Sequence, residues 1–220
     1  MEKLNTTKIE AITISINYSD YLSQCISNKE KLDRWIVVTH EDDLGCIKVC
    51  EDNDIEYICS KRIYEDGSYF AKGKAINEGL ELLDKDGWIL HLDSDIKLPS
   101  NFRDVVKNNC FDKTALYWTK RYYKNYKEMK WITPDGTELQ ACGFFQLWHN
   151  SKRKDYPAYS NTASWDDMYM RDSINHLIEL SLRCVDVSGY YGRHHFGRGV
   201  EIPSIEEFHT DPLGKYIKNE

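Results

Sequence analysis

Two aspartates one residue apart, Asp93 and Asp95, directly follow the apolar run Trp88–Leu92. A short apolar run of this kind reads as a buried strand. In extended backbone, residues i and i+2 face the same way. Both carboxylates can therefore converge on one hard divalent cation at the carboxyl end of a strand, where open α/β sheets bind their ligands; a turn-initiating aspartate followed by a solvated one is the alternative. A second acidic pair, Asp166 and Asp167, follows Ser164 and Trp165. It opens a segment with Met170, Ile174, Leu177 and Ile178 on one helical face. Ser164 reads as the N-cap, and carboxylates in a first turn are favourable against the helix dipole. Cys46 and Cys50 have the nearest spacing to a metal-binding pair, but no second pair follows. They read as buried small apolar residues.

These groups need a scaffold, and the chain supplies an alternating one. Ala11–Ile16, Trp35–Thr39, Ile55–Cys59 and Trp88–Leu92 read as strands. Helical patterns separate them over Asp20–Ser27, Leu44–Cys50 and Ala71–Leu83. The last of these has Ala75, Ile76, Leu80 and Leu83 on one stripe and Gly87 beyond its end. The order βαβαβαβ is that of a parallel sheet covered by helices. The second half is less regular. A short helix over Asn101–Val106 and strands over Ala115–Thr119, Ala141–Trp148 and Arg183–Val187 are expected there.

Composition bounds the function. The chain has 220 residues, 41% hydrophobic and 30% charged, which fits one soluble globular domain. No apolar run approaches the ~20 residues of a membrane span, and no secretory leader is expected from the polar start. With seven cysteines, an odd number, free thiols in a reducing, cytoplasmic setting are expected. The net charge of -7 argues against a dedicated nucleic-acid binder. Against that balance, Lys120–Trp131 interleaves cations with rings, including Tyr122, Tyr123 and Trp131. Such a stretch suits stacking on a sugar or on the bases of a nucleic-acid strand; a plain solvated ribbon is the alternative.

Three segments in order resemble the GT-A glycosyltransferases of the large family-2-like group. They are Asn17-Tyr-Ser-Asp-Tyr-Leu-Ser-Gln-Cys-Ile-Ser27, Phe70-Ala-Lys-Gly-Lys-Ala-Ile-Asn-Glu-Gly-Leu80, and the strand leading to Asp93-Ser94-Asp95 and Leu98-Pro99. The resemblance implies a GT-A, Rossmann-like fold: a central, mostly parallel sheet flanked by helices. It spans one domain, with a donor half over 8–100, an acceptor half over 101–200 and a tail over 201–220. The activity implied is transfer of a sugar from a nucleotide donor, a UDP-sugar, to an acceptor hydroxyl on a glycan or on a modified DNA base. By the same resemblance, Asp93 and Asp95 hold Mn²⁺ or Mg²⁺ with His195 or His194 as a further ligand. Asn17, Lys72, Lys74, Asn77 and Asp93 contact the donor. Asp167, with Asp166 in place of the usual Glu, takes the acceptor's proton, which makes the reaction inverting, and Trp165 walls the acceptor.

The chain departs from the family at the second strand, where Thr39 and His40 stand in place of two nucleoside-binding aspartates; Glu41 or Asp43 is then the substitute. Two other readings are a nucleotidyltransferase and a non-catalytic carbohydrate- or nucleic-acid-binding module. The first normally opens with a Gly-rich phosphate loop after its first strand, and Ile16–Asp20 has no glycine.

Overall fold

The computed structural model describes residues 8–68, 70–130, 132, 136–152, 155–156 and 163–188. Among these residues the strands form one nine-stranded sheet. Its first part is the expected alternation: β1 (Ile9–Ile14), α1 (Ser19–Cys25), β2 (Arg34–Thr39), α2 (Leu44–Asp52), β3 (Glu56–Cys59), α3 (Lys72–Leu80) and β4 (Trp88–Leu92). These four strands are parallel, in the order β3-β2-β1-β4. Both faces of β1, β2 and β4 are covered and these strands are buried almost throughout, whereas β3, at the edge, is half-buried or exposed. Ile9 and Ala11 of β1 enter the core on one face, and Ile12 and Ile14 the core on the other. The close seating of α3 on β1 accounts for Gly79: a Cβ there would lie 2.3 Å from Ile12 Cδ1.

Beyond β4 the sheet is mixed. The two-residue strand β5 (Ile96–Lys97) and helix α4 (Phe102–Asn109) come first, then β6 (Leu116–Tyr122), β7 (Glu128–Met129), β8 (Phe145–His149), helix α5 (Ala163–Asp172) and β9 (Leu177–Asp186). The order continues β4-β8-β6-β9-β5, with β4–β8, β8–β6 and β9–β5 antiparallel and β6–β9 parallel. The sheet is thus parallel on the side built by residues 9–92 and mixed on the other, an antiparallel pairing beginning at β4 itself.

The second half departs from expectation at several points. Leu177 and Ile178 do not extend α5. The helix ends at Asp172, and they open a ten-residue strand in which Leu180, Leu182 and Cys184 are buried while Glu179, Ser181 and Arg183 are exposed. That two-residue alternation was overlaid by the helical spacing of Met170 and Ile174. Helix α5 begins at Ala163, one residue before the expected Ser164 cap. Ala141 has a positive φ of 52°, so the expected strand over Ala141–Trp148 starts only at Phe145. The basic-aromatic stretch forms a β6–β7 hairpin, turned at Tyr126 with φ 62°. All seven cysteines are free, and Cys46 and Cys50 are fully buried in α2, as read from the sequence. No helix among the described residues is long and apolar enough to cross a membrane.

Candidate active site

The chemistry-bearing residues gather at the carboxyl end of β4. Asp93-Ser94-Asp95 is not extended, as the i, i+2 argument requires, but a turn: the Ile96 N–H donates to the Asp93 carbonyl at 3.2 Å. The turn sends the two carboxylates to different partners. Asp93 Oδ1 accepts from Lys72 Nζ at 3.0 Å, on the α3 side. Asp95 Oδ2 accepts from Arg121 at 2.9 Å, on the β6 side, and the same guanidinium holds Asp186 Oδ2 at 2.8 Å. Asp186 is fully buried and caps the end of β9 by accepting from the Ser188 N–H and hydroxyl.

Lys72 joins the two acidic pairs. Its ammonium, 5% exposed, also donates to both oxygens of Asp167 at 3.1 Å. Helix α3 therefore delivers a cation to the point where β4 ends and α5 begins. Asp166 serves a different purpose: its Oδ2 accepts the Gly73 N–H at 2.5 Å and locks the first turn of α5 to the first turn of α3. Gly143 lies against Asp167 with no space for a side chain, since a Cβ there would fall 1.7 Å from the Asp167 carboxyl carbon.

The electrostatics follow from burial and from count. Asp93, Asp95, Asp167 and Asp186 share Lys72 and Arg121, so four carboxylates face two cations. Burial, with Asp93 nearby, pushes Asp167 up to about 7 despite Lys72. Burial pushes Asp95 up to about 6 against the pull of Arg121. Asp93, although burial opposes it, is held below the usual carboxylate range by Lys72. Beside Asp93 and Asp167, 3.9 Å from an oxygen of each, His91 is fully buried, and desolvation pushes its imidazole down to about 3, so it is neutral.

A divalent cation fits this site. One oxygen of Asp95, Oδ1, is buried without a hydrogen-bond partner among the described residues. With all four carboxylates ionised, the cluster is two negative charges in excess of its cations. Two carboxylates are also a sufficient protein contribution where substrate phosphates complete the shell. No group of three or more His, Cys, Asp or Glu arranged to hold a metal occurs among the described residues. His194 and His195 lie outside them, as does Trp131; of Trp165 only the backbone, within α5, is described.

The other expected donor contacts divide. Asn17 sits in the left-handed region with φ 59°, at the bend after β1, where asparagine is tolerated. Its N–H donates to Asp43 Oδ2 at 2.6 Å. Asp43 is committed inside the protein: it caps α2 through the Cys46 N–H and accepts the Thr39 hydroxyl. Glu41 is exposed, 3.7 Å from Lys61. Lys74 is buried and paired with Glu65 at 3.1 Å. Asn77 grips a backbone: its Nδ2 donates to the Tyr156 carbonyl at 2.9 Å and its Oδ1 accepts the Tyr156 N–H at 2.8 Å. On the hairpin, the Arg183 guanidinium lies 6.0 Å from the centre of the Tyr122 ring, and the Tyr123 N–H closes the turn onto Lys127.

Arg121, Asp186, His91, Gln146 and Tyr156 were not singled out from the sequence. Arg121 was masked by its basic neighbours, although in β6 it shares a side with the buried Thr119 and Tyr117. His91, a polar residue inside an otherwise apolar strand, was the available signal for the buried polar group under the site.

No protein-family model and no curated protein matches the chain in sequence. Solved structures do match in fold. An inositol-1-phosphate CTP transferase from T. maritima aligns at a TM-score of 0.54 and 11% identity, over 90% of this chain and 99% of that one. Glucosyl-3-phosphoglycerate synthase from Mycobacterium tuberculosis, in complex with Mn²⁺, UDP and glucosyl-3-phosphoglycerate, aligns at 0.55 and 12%, over 96% and 77%. A mycobacterial protein aligns at 0.57 and 14%, over 85% and 68%. The chain thus has the Rossmann-like α/β fold shared by nucleotidyltransferases and GT-A glycosyltransferases.

Proposed function

We propose that this protein is a metal-dependent glycosyltransferase that moves a sugar from a nucleoside-diphosphate donor, a UDP-sugar, to an acceptor hydroxyl with inversion. The observation behind this is Lys72, which brings the Asp93 turn and the Asp167 carboxylate to within one side chain of each other at the ligand-binding end of the sheet. A carboxylate near 7 is matched to general-base work at neutral pH. In the proposed reaction the acceptor hydroxyl gives its proton to an Asp167 oxygen as its own oxygen bonds to the anomeric carbon. The bond from that carbon to the diphosphate oxygen breaks with its electron pair leaving on the diphosphate.

Asp93 and Asp95 would hold Mn²⁺ or Mg²⁺, with His195 or His194 as the candidate nitrogen ligand. Bound there, the cation supplies neutralisation of the departing diphosphate. Lys72 is positioned to add positive charge on the same side. Asn17, Glu41 and Lys74 remain candidate donor contacts, whereas Asp43 and Asn77 would act by shaping the loops around the donor. Trp165, Tyr122, Tyr123 and Trp131 are the candidate acceptor contacts, on a glycan or on a modified DNA base. The donor site falls within residues 8–100 and the acceptor site within 101–200 of one domain.

Nucleotidyl transfer is the second reading, because the same fold serves it. Glycosyl transfer is preferred because the segment from Ile14 to Leu44 has no glycine, and the bend after β1 is made by Asn17 rather than by a phosphate-cradling glycine loop. Incubation with a panel of nucleotide sugars and Mn²⁺ tests the proposal. Release of nucleoside diphosphate, abolished in Asp95→Ala, is expected; pyrophosphate release from a nucleoside triphosphate and a sugar phosphate would instead establish nucleotidyl transfer.

A further inference from the structure

Behind Asp167 lies a buried chain of hydrogen bonds whose direction can be worked out. Gln146 Nε2 donates to two backbone carbonyls, Ala141 at 3.1 Å and Asp167 at 3.0 Å. Carbonyls only accept, so the amide orientation of Gln146 is fixed, and its Oε1 is left as an acceptor. Oε1 lies 2.9 Å from the Tyr156 hydroxyl, and that hydroxyl lies 3.2 Å from His91 Nδ1. The hydroxyl has one proton and two neighbours.

If it donates to Gln146, His91 must carry its proton on Nδ1 and donate to the tyrosine oxygen. The cost is then one bare acceptor, His91 Nε2. If it donates to His91 instead, Gln146 Oε1 loses its donor and the imidazole proton moves to Nε2. The nearest carboxylate oxygen there, Asp93 Oδ1, is 3.9 Å away, beyond hydrogen-bond reach. That leaves both a donor and an acceptor unsatisfied in the interior, and orphaned buried N–H groups are rare. Nε2 is indeed without a partner among the described residues.

We infer that His91, Tyr156 and Gln146 form one directional chain, His91 Nδ1–H to Tyr156 Oη–H to Gln146 Oε1, that positions Asp167. The chain ends on the backbone of Asp167 itself, so it sets where the carboxylate stands. It is anchored at its middle by Asn77, which holds the Tyr156 N–H and carbonyl together. This also gives the Asn-x-Gly-Leu segment of α3 a purpose: Asn77 secures the tyrosine while Gly79 seats the helix on β1. The three residues are positioning residues, since none has been placed against the reacting atoms. The inference about their role in turnover rests on the proposed transfer; the direction of the chain does not.

The test has two arms. In the first, long-range ¹H–¹⁵N correlation spectra of the intact protein read the His91 tautomer. Protonated Nδ1 and bare Nε2 are expected; protonated Nε2 overturns the chain without reference to any activity. In the second, Tyr156→Phe and Gln146→Leu are compared with the wild type in the transferase assay. A displacement of Asp167 should lower kcat by about 10–100-fold while donor KM stays within about twofold. His91→Asn, whose amide can donate from the Nδ1 position, should recover turnover that His91→Phe loses. Unchanged kcat in Tyr156→Phe, or equal loss in both His91 variants, overturns the positioning role. A wild-type chain inactive on every nucleotide sugar, with the predicted tautomer, would refute the transferase reading and leave the chain direction standing.

Discussion

Replacing Lys72 by Met retains most of the side-chain stem and removes the charge between Asp93 and Asp167. The ammonium is 3.0 Å from one carboxylate and 3.1 Å from the other. At an effective dielectric of ~20 each contact has a gross attraction of about 5 kcal/mol. Most of that offsets the desolvation of the ammonium, and removing one partner of a buried pair leaves a net loss of about 3–5 kcal/mol, because the remaining carboxylates stay buried and unpaired. The loss should depend on pH in a definite sense. Asp167 already titrates near 7, above its ordinary range, so its contribution to stability is lost as pH rises through that value. Without Lys72 its pKa climbs further, and the window extends to higher pH. The deficit of Lys72→Met should therefore be largest at pH 8–9 and shrink toward pH 5.5, by up to about 1.4 kcal/mol per pH unit for each proton taken up. Urea unfolding followed by tryptophan fluorescence at several pH values measures this. Adding Asp167→Asn should restore part of the lost stability. A variant within about 0.5 kcal/mol of wild type at pH 8.5, or a deficit flat with pH, would refute the reasoning that Lys72 is a counterion rather than a packing element.

Other outcomes are expected on the same grounds. Asp167→Asn should lower transfer by at least about 100-fold while donor affinity, read by calorimetry, changes little; an equal loss of donor affinity would move Asp167 to the donor site. The acid limb of kcat/KM should have an apparent pKa of about 7, with activity falling as pH drops below it because the base is then protonated. Gly143→Ala should destabilise the fold by about 1–3 kcal/mol and nearly abolish turnover, since its methyl would occupy the space of the Asp167 carboxylate; wild-type turnover would show that the loop yields. Arg121→Met should cost about 3–5 kcal/mol in thermal or urea unfolding, as Asp186 is fully buried against it.

The parallel part of the fold was legible because β1, β2 and β4 are buried on both faces and the helices between the strands have apolar stripes. Trp88–Leu92 was placed to the residue. Beyond β4 the signals overlap. Met170 and Ile174 keep the helical spacing up to the turn before β9, and nothing in Leu177 or Ile178 alone distinguishes the next helical turn from the first residues of a strand. The acidic residues of the site could be named from sequence, but their partners could not. Pairing across 21 and 95 residues, as Lys72 achieves with Asp93 and Asp167, is set by tertiary packing. One trace was present: Lys72 lies four and eight residues before Ile76 and Leu80, on the buried stripe of α3. A lysine on such a stripe needs a buried counter-charge. Likewise, Arg121 shares its side of β6 with the buried Thr119 and Tyr117, whereas Lys120 lies on the other side.

The two cations under the site have a further consequence for the life of the chain before it meets any ligand. Lys72 and Arg121 act as resident counterions, so half of the negative charge gathered at the end of β4 is balanced by covalently attached groups. Assembly of this acidic centre then does not have to wait for an external ion, and on the proposed metal-dependent reaction a scarcity of divalent metal would silence the molecule without unravelling it. Removal of metal by a chelator should accordingly leave the melting temperature close to that of the untreated protein, while readdition raises it only by mass action.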